Sequence, residues 1–366
     1  MFSGISDHIR IAITVLIAFN IAYFSTPWAM KLALKTGAID RPDGGRHLHS
    51  KTTPRLGGLA IFAGFAATVL LFAVPDTKIR GILLGSLLIV IMGAVDDAKD
   101  LKPFVKLLFQ ICAAVIAIFH GLYFSYVTGI SGSFSIGVLS YPLTVLWIVG
   151  CTNAVNLIDG LDGLALGISA VSSFTMLIVA LFVAEPAIAI VFAALGGACV
   201  GFMPYNLHPA KIFMGDTGSQ LLGYVLATAS IMGLFKLYAF ITFLVPLMSL
   251  AVPLMDTGFA FFRRLANGQS PFKADKGHFH HRLLAAGFTQ TEAVVILCSI
   301  SALFGLLSIA LASVNRLTEG NYGWVPGVCG ISAVLIVELN WHFVFKRRKA
   351  RMKALEERPD EFDPGD

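Results

Sequence analysis

Charge is scarce in this sequence. Of 366 residues only 13% are Asp, Glu, Lys or Arg, while 56% are hydrophobic; a soluble domain carries about 25% charged residues. Mean hydropathy is +0.78. These figures exclude an ordinary soluble enzyme, a disordered chain and a nucleic-acid-binding module. Cysteine is sparse too. The five thiols, Cys112, Cys151, Cys199, Cys298 and Cys329, lie inside apolar runs and none forms a CxxC pair. That spacing supports neither a disulfide framework nor a zinc knuckle; it fits small residues packed between helices. Internal repeats and low-complexity segments are missing as well. The first apolar run is too long for the core of a signal peptide and has no clear cleavage site, so it reads as a retained span.

What the chain has in abundance is long hydrophobic runs. A helix crossing a bilayer needs about 20 mostly apolar residues. Eleven runs qualify: 9–30, 57–75, 80–95, 104–120, 141–157, 163–184, 187–204, 219–235, 238–262, 291–313 and 324–345. Several contain proline or glycine, which membrane helices tolerate. The expectation is an all-α polytopic membrane protein with one membrane-embedded domain over 1–345. A tail follows over 346–366, basic (KRRKARMK) and then acidic (EERPDEFDPGD). Of the 27 Lys and Arg, 22 fall in segments 31–56, 96–106, 204–220, 263–290 and 346–366, and only Arg10, Lys78, Arg80, Lys236 and Arg316 fall on the other side. Basic loops stay in the cytoplasm, which predicts an external N-terminus and a cytoplasmic C-terminus.

The same basic side carries five polar clusters, each beside a helix end. A transporter places its ionisable groups near mid-membrane; groups gathered at one face suit an active site at the membrane surface. The first loop holds Arg41, Arg46, Lys51 and Arg55 among glycines and prolines, a composition that suits phosphate but also follows from orientation alone. The second is DDAKDLKPFVK, with Asp96, Asp97 and Asp100 beside Lys99, Lys102 and Lys106. Adjacent carboxylates at a membrane helix end need a cation, and hard oxygen donors suit magnesium shared with substrate phosphates; a solvated acidic–basic turn is the alternative. In the third, NAVNLIDGLDGLA, helical spacing puts Asn153, Asn156 and Asp159 on one face, with Asp162 three residues on.

The fourth cluster, NLHPAKIFMGDTGSQ, contains Asn206, Lys211, Phe213, Asp216 and Ser219. Its Gly-Asp-Thr-Gly-Ser turn opens a helix, offering amides to an anion and a carboxylate to a metal, or simply capping the helix. The fifth holds His278, His280, His281 and Arg282. Zinc, hydrogen bonding to phosphate or sugar, and a plain polar loop are all open to it, though the spacing is not the usual i, i+4 zinc pair. Asp256, just inside the ninth run, is a partner for Arg263 or Arg264 or a further site residue. Glu338 is a lone acid in the last run.

Taken in order, TPRLGG (Thr53–Gly58), DDxxD (Asp96–Asp100), NxxNxxDGLDG (Asn153–Gly163), FMGDTGS (Phe213–Ser219) and HxHH (His278–His281) resemble the polyprenyl-phosphate N-acetylhexosamine-1-phosphate transferase family. The closest likeness is to its bacterial undecaprenyl-phosphate N-acetylglucosaminyl branch, over about residues 10–345. The resemblance implies a magnesium-dependent enzyme, with manganese as a substitute. It would move a sugar 1-phosphate from a UDP-N-acetylhexosamine to undecaprenyl phosphate at the cytoplasmic face of the bacterial inner membrane, releasing UMP and starting a cell-envelope polysaccharide. It implies Asp216 and Asn156 as metal ligands, Phe213 stacked on uracil, Asp162 near the base and Lys106 on the pyrophosphate. His278, His280 and His281, with Arg282, would recognise sugar and phosphates, and Asp96 and Asp97 would sit at the reacting lipid phosphate. Lys51, Asn153 and Asp159 complete the expected substrate contacts. Membrane lipids are expected partners, nucleic acid is not, and a homodimer is compatible with the sequence. The alternatives are transfer of phospho-MurNAc-pentapeptide in peptidoglycan synthesis and, from another class, a transporter of lipid-linked or nucleotide sugars.

Overall fold

The computed structural model describes residues 6–40, 52–74, 76–129, 132–182, 185–233, 239–268, 277–314, 322–346 and 348–349. Lys51 and nearly all of the tail lie outside them. The chain is almost wholly helical, and it is a multi-pass membrane protein. Among the described residues seven helices are long and apolar enough to cross a membrane. They are α1 (Asp7–Thr36), α3 (Thr77–Lys99), α5 (Ser140–Ile158), α6 (Leu164–Phe182), α7 (Pro186–Asn206), α12 (Gln290–Val314) and α13 (Val325–Asn340), α5 and α13 being extended by short turns at one end. Shorter helices are α2 (Gly58–Phe72), α4 (Pro103–Phe119), α8 (Gly215–Gly233), α9 (Ala239–Ser249), α10 (Ala251–Ala266) and α11 (Phe279–Ala285). Two small antiparallel pairs are the described sheet: β1 (Ile39–Asp40) with β2 (Thr53–Pro54), and β3 (Tyr126–Gly129) with β4 (Gly132–Ser135).

Small residues bring the helices together. A Cβ on Gly197 of α7 would stand 2.4 Å from the Val15 carbonyl of α1, and one on Gly201 would stand 2.2 Å from that of Phe19. This i, i+4 glycine pair lets α7 lie against the α1 backbone, a packing mode that suits helices with no hydrophobic drive between them.

Helix α8 is the innermost. Its residues from Thr217 to Ile231 are all buried, with α2, α3, α5, α6 and α7 packed around it. It is not one of the seven strongly apolar helices, because it carries Asp216, Thr217, Ser219, Gln220 and Thr228. A helix enclosed by protein can hold polar groups that lipid would penalise.

The apolar run 238–262 was expected as one span. It is broken at Leu250 into α9 and α10. Pro253 has no N–H to donate to the carbonyl four residues back, that of Ser249. That carbonyl instead accepts from Ser172 Oγ of α6 at 2.5 Å, as membrane helices require when a backbone group is freed.

The turns α1–α2, α3–α4, α5–α6 and α7–α8 and the segment bearing α11 gather at one end of the bundle. The β3–β4 hairpin, between α4 and α5, lies at the other. The described residues of the five polar clusters, Arg55 alone in the case of the first, therefore share one end.

Candidate active site at the start of α8

Backbone pairing builds the frame. The β1–β2 pair sets Ile39 against Pro54 and Asp40 against Thr53. On its other side Phe213 N donates to Pro54 O at 2.8 Å, Gly57 N to Phe213 O at 3.0 Å and Gly58 N to Met214 O at 2.9 Å. The TPRLGG segment is thus a strut tying the end of α1 to the entry of α8. A Cβ on Gly58 would lie 2.2 Å from the Gly218 nitrogen, so no side chain fits where α2 meets α8. Gly215 has φ +67°, and a Cβ there would meet the Asp97 carboxylate at 2.3 Å.

Asp97 caps α8 from the neighbouring helix α3. Its Oδ1 accepts from Asp216 N at 2.9 Å, and its Oδ2 accepts from Thr217 N at 3.1 Å and Thr217 Oγ1 at 2.6 Å. It satisfies amides left open at the helix start, where a negative charge is favoured. Arg55 Nε stands 3.9 Å from Oδ1. Asp97 is therefore directed at the α8 backbone.

Asp96, one residue earlier, is directed elsewhere. Its Oδ1 accepts from Leu101 N at 2.7 Å, and its Oδ2 lies 2.5 Å from Lys106 Nζ. Asp100, third in the motif, is exposed and ends α3 in the left-handed region at φ 55°. Lys106 Nζ also reaches Asp216 Oδ2 at 2.9 Å, so one ammonium bridges two carboxylates. Asp216 accepts further from Asn156 Nδ2 (Oδ1, 3.2 Å) and Gln220 Nε2 (Oδ2, 3.0 Å), and Asn156 Nδ2 also donates to Ser219 Oγ at 2.8 Å.

Asn153 and Asn156 share a face of α5, as their spacing implies, but Asn153 faces the interior. It donates to Gln110 Oε1 at 2.7 Å, and Gln110 Nε2 donates to Gln220 Oε1 at 2.9 Å. Asp159 follows the last turn of α5. Burial above all, then the nearby Asp216, pushes its carboxyl up to about 8; Arg55 opposes the shift, and Asp97 and Asp162 add to it. Asp162 Oδ2 accepts from Ala210 N at 3.0 Å and lies 2.9 Å from His208 Nδ1. It anchors the loop that leads to Phe213, whose side chain is partly exposed.

The histidine segment closes the site from α10. Buried Asp256 accepts from Phe279 N at 2.7 Å through Oδ1, and its Oδ2 lies 2.8 Å from His278 Nδ1. Asp256 is thus the partner of His278, and Arg263 instead lies over Gly277. His280 is 2% exposed and packs on Gly160, where a Cβ would stand 2.3 Å from its Nε2. Burial holds this imidazole down at about 4, hence neutral at neutral pH. The His278 and His280 rings are parallel at 5.9 Å. His281 is half-buried and Arg282 exposed.

Among the described residues no group of three or more His, Cys, Asp or Glu side chains is placed to hold a metal ion. That removes the support for zinc on the histidines. It leaves room for a hard cation held by two carboxylates, Asp96 and Asp216, and completed by phosphate oxygens, the usual arrangement for magnesium. The Asn156 amide oxygen is a third donor of the right kind. Gln110, Gln220, Thr217 and the Asp256–His278 pair were not found from sequence. Gln110 and Gln220 did leave a signal, as lone amides inside apolar runs.

The description of glycosyl transferase family 4 matches residues 79–234. The chain is 40% identical over 309 residues to a probable undecaprenyl-phosphate N-acetylglucosaminyl 1-phosphate transferase of Bacillus subtilis, covering 83% of this chain and 86% of that one. It is 33% identical to the decaprenyl-phosphate N-acetylglucosaminephosphotransferase of Mycolicibacterium smegmatis, over 89% of this chain and 87% of that one. It is 30% identical to the undecaprenyl-phosphate alpha-N-acetylglucosaminyl 1-phosphate transferase of Escherichia coli K12, over 87% of each.

Proposed function

The chain belongs to glycosyl transferase family 4, among the polyprenyl-phosphate N-acetylhexosamine-1-phosphate transferases, and on that footing we propose that it transfers N-acetylglucosamine 1-phosphate from UDP-GlcNAc to undecaprenyl phosphate, releasing UMP. The site faces the cytoplasm of a bacterial inner membrane, and the product starts a cell-envelope polysaccharide. In this reading the chain crosses the bilayer eleven times, with its N-terminus outside. The observation that carries the chemistry is Lys106 set between Asp96 and Asp216 at the start of α8.

Both substrates are phosphate anions, one soluble and one embedded, so the reaction belongs at the membrane surface. Phosphoryl transfer asks mainly for positioning and charge neutralisation. A phosphomonoester has a second pKa of about 6 and is mostly dianionic at pH 7, so no strong base is needed. An oxygen of the lipid phosphate attacks the β-phosphorus of the donor. The bond from that phosphorus to the bridging oxygen breaks, and UMP leaves with the electron pair. Lys106 neutralises the pyrophosphate, while Asp96 orients the attacking phosphate or takes a residual proton. Asp97 acts through α8, holding Asp216 in place. Asp216 with Asn156 would hold magnesium, which would supply Lewis-acid stabilisation of charge on the phosphate oxygens. Phe213 stacks on uracil, on the loop that Asp162 anchors. His278 and His281, with Arg282, meet the sugar and phosphates, and His280 seats that segment on Gly160. A covalent aspartyl route is the rival mechanism.

The experiment is UMP release by purified protein in detergent with undecaprenyl phosphate and magnesium. UDP-GlcNAc, UDP-GalNAc and UDP-MurNAc-pentapeptide are offered separately. UMP from UDP-GlcNAc alone, abolished by EDTA, is expected. UMP from the pentapeptide substrate alone would move the protein to peptidoglycan synthesis. No UMP from any donor would overturn the reading and revive the transporter.

A further inference from the structure

Three side-chain amides lead through the bundle to a carboxylate. Asn153 Nδ2 of α5 donates to Gln110 Oε1 of α4 at 2.7 Å; Gln110 Nε2 donates to Gln220 Oε1 of α8 at 2.9 Å; Gln220 Nε2 donates to Asp216 Oδ2 at 3.0 Å. The first link is reciprocal, Gln110 Nε2 also donating to Asn153 Oδ1 at 3.3 Å, and the Val149 carbonyl, accepting from Asn153 Nδ2 at 2.8 Å, fixes the sense of that pair. Gln110 and Gln220 are 2% and 0% exposed. Polar groups buried this deeply are costly unless every bond is made. Direction is what matters here. A primary amide can be turned end for end. Turned that way, Gln220 would present its oxygen to the Asp216 carboxylate and repel it. Gln110 prevents this by donating to the Gln220 oxygen, and Asn153 fixes Gln110 in the same sense.

We propose that Gln110 and Gln220 are positioning residues for Asp216: together they fix the rotamer in which its carboxylate meets the metal. The inference rests on the reading of Asp216 as a metal ligand. Lys106 and Asn156 hold the same carboxylate, but each also faces the substrates in that reading. The two glutamines belong to the protein interior alone, so they define the site before any substrate arrives.

The test is a manganese titration of the full-length protein in detergent, without substrates, read by the electron paramagnetic resonance of free Mn2+. Variants are Gln220→Met, Gln110→Met, the double variant, and Asp216→Asn as control. Gln220→Met weakens manganese binding about tenfold, the scale of one hydrogen bond to a charged group. Gln110→Met weakens it about threefold, a fraction of that bond. Because Gln110 acts only through Gln220, the double variant matches Gln220→Met rather than the product of the two. The KM for UDP-GlcNAc stays within about twofold, since the amides touch no substrate. Unchanged manganese affinity in both single variants, or full additivity, overturns the proposal. If Gln220→Met does not fold, unchanged affinity in Gln110→Met alone is decisive. If Asp216→Asn binds manganese as the unaltered protein does, the metal reading itself fails, an outcome distinct from failure of the relay.

Discussion

Asp97 and Thr217 are joined twice: Asp97 Oδ2 accepts from the Thr217 hydroxyl at 2.6 Å and from its amide at 3.1 Å. The residue before Asp97 does a different job, since Asp96 meets Lys106. Two adjacent carboxylates of one motif thus divide into a scaffold residue and a site residue. This predicts that they fail differently. Asp97→Asn sets an NH2 group against donors of α8 and costs about 1–3 kcal/mol of stability, the penalty of an unmatched buried polar group. Asp96→Asn keeps an amide oxygen for Leu101 N and leaves Asp216 to hold Lys106, so it costs less stability than Asp97→Asn, but it abolishes turnover. Denaturant unfolding in detergent beside UMP release separates them, and equal stability losses would refute the division.

Asp216→Asn is expected to abolish magnesium-dependent turnover, while Asp96→Asn retains UDP-GlcNAc binding. Calorimetric titration with the nucleotide sugar reads the second half. Near-normal magnesium-dependent activity in Asp216→Asn would show that the metal sits elsewhere.

The histidine segment is seated at two points, Asp256 under His278 and Gly160 under His280. Asp256→Ala and Gly160→Ala should each raise the KM for UDP-GlcNAc, by about tenfold or more for a displaced polar contact. Manganese affinity should stay unchanged, because neither residue touches Asp216. Steady-state kinetics with the spin titration checks both; a loss of metal binding in either would contradict the seating role.

Asp159 supplies a pH dependence. Its folded carboxyl is raised to about 8, so between its unfolded value near 4 and about 8 the folded state holds a proton that the unfolded state has released. Stability from this group is present at low pH and is lost as pH rises through 8. The groups facing it are Asp216, Arg55, Asp97 and Asp162. In metal-free buffer the melting temperature of Asp159→Asn, compared with the unaltered protein, should therefore gain steadily from about pH 4 to about pH 8 and hold a constant lead above that. A gap that shrinks with pH would reverse the sign and exclude the assignment.

Much of this was legible in the sequence because it is carried by local pattern. Apolar runs marked the helices, and five ordered motifs named the family and meet, in their described residues, at one end of the bundle. What stayed hidden is tertiary. Asp256 in α10 and His278 just before α11 are 22 positions apart, and no periodicity joins them. Asn153 looked like Asn156, but their partners point one into the bundle and the other to Asp216. Pro253 was visible, yet its effect depended on Ser172, which caught the freed carbonyl of Ser249.

That last bond has a mechanical meaning. Helix α6 begins two residues after Asp162, at the DGLDG turn, and Ser172 clamps it to the joint from which α10 carries Asp256 towards His278. The helix that follows the turn bearing Asp159 and Asp162 is therefore bonded directly to the joint that opens the helix bearing Asp256. On the proposed reading, with Asp162 near the base and His278 near the sugar, that bond ties together the supports for the two ends of the donor.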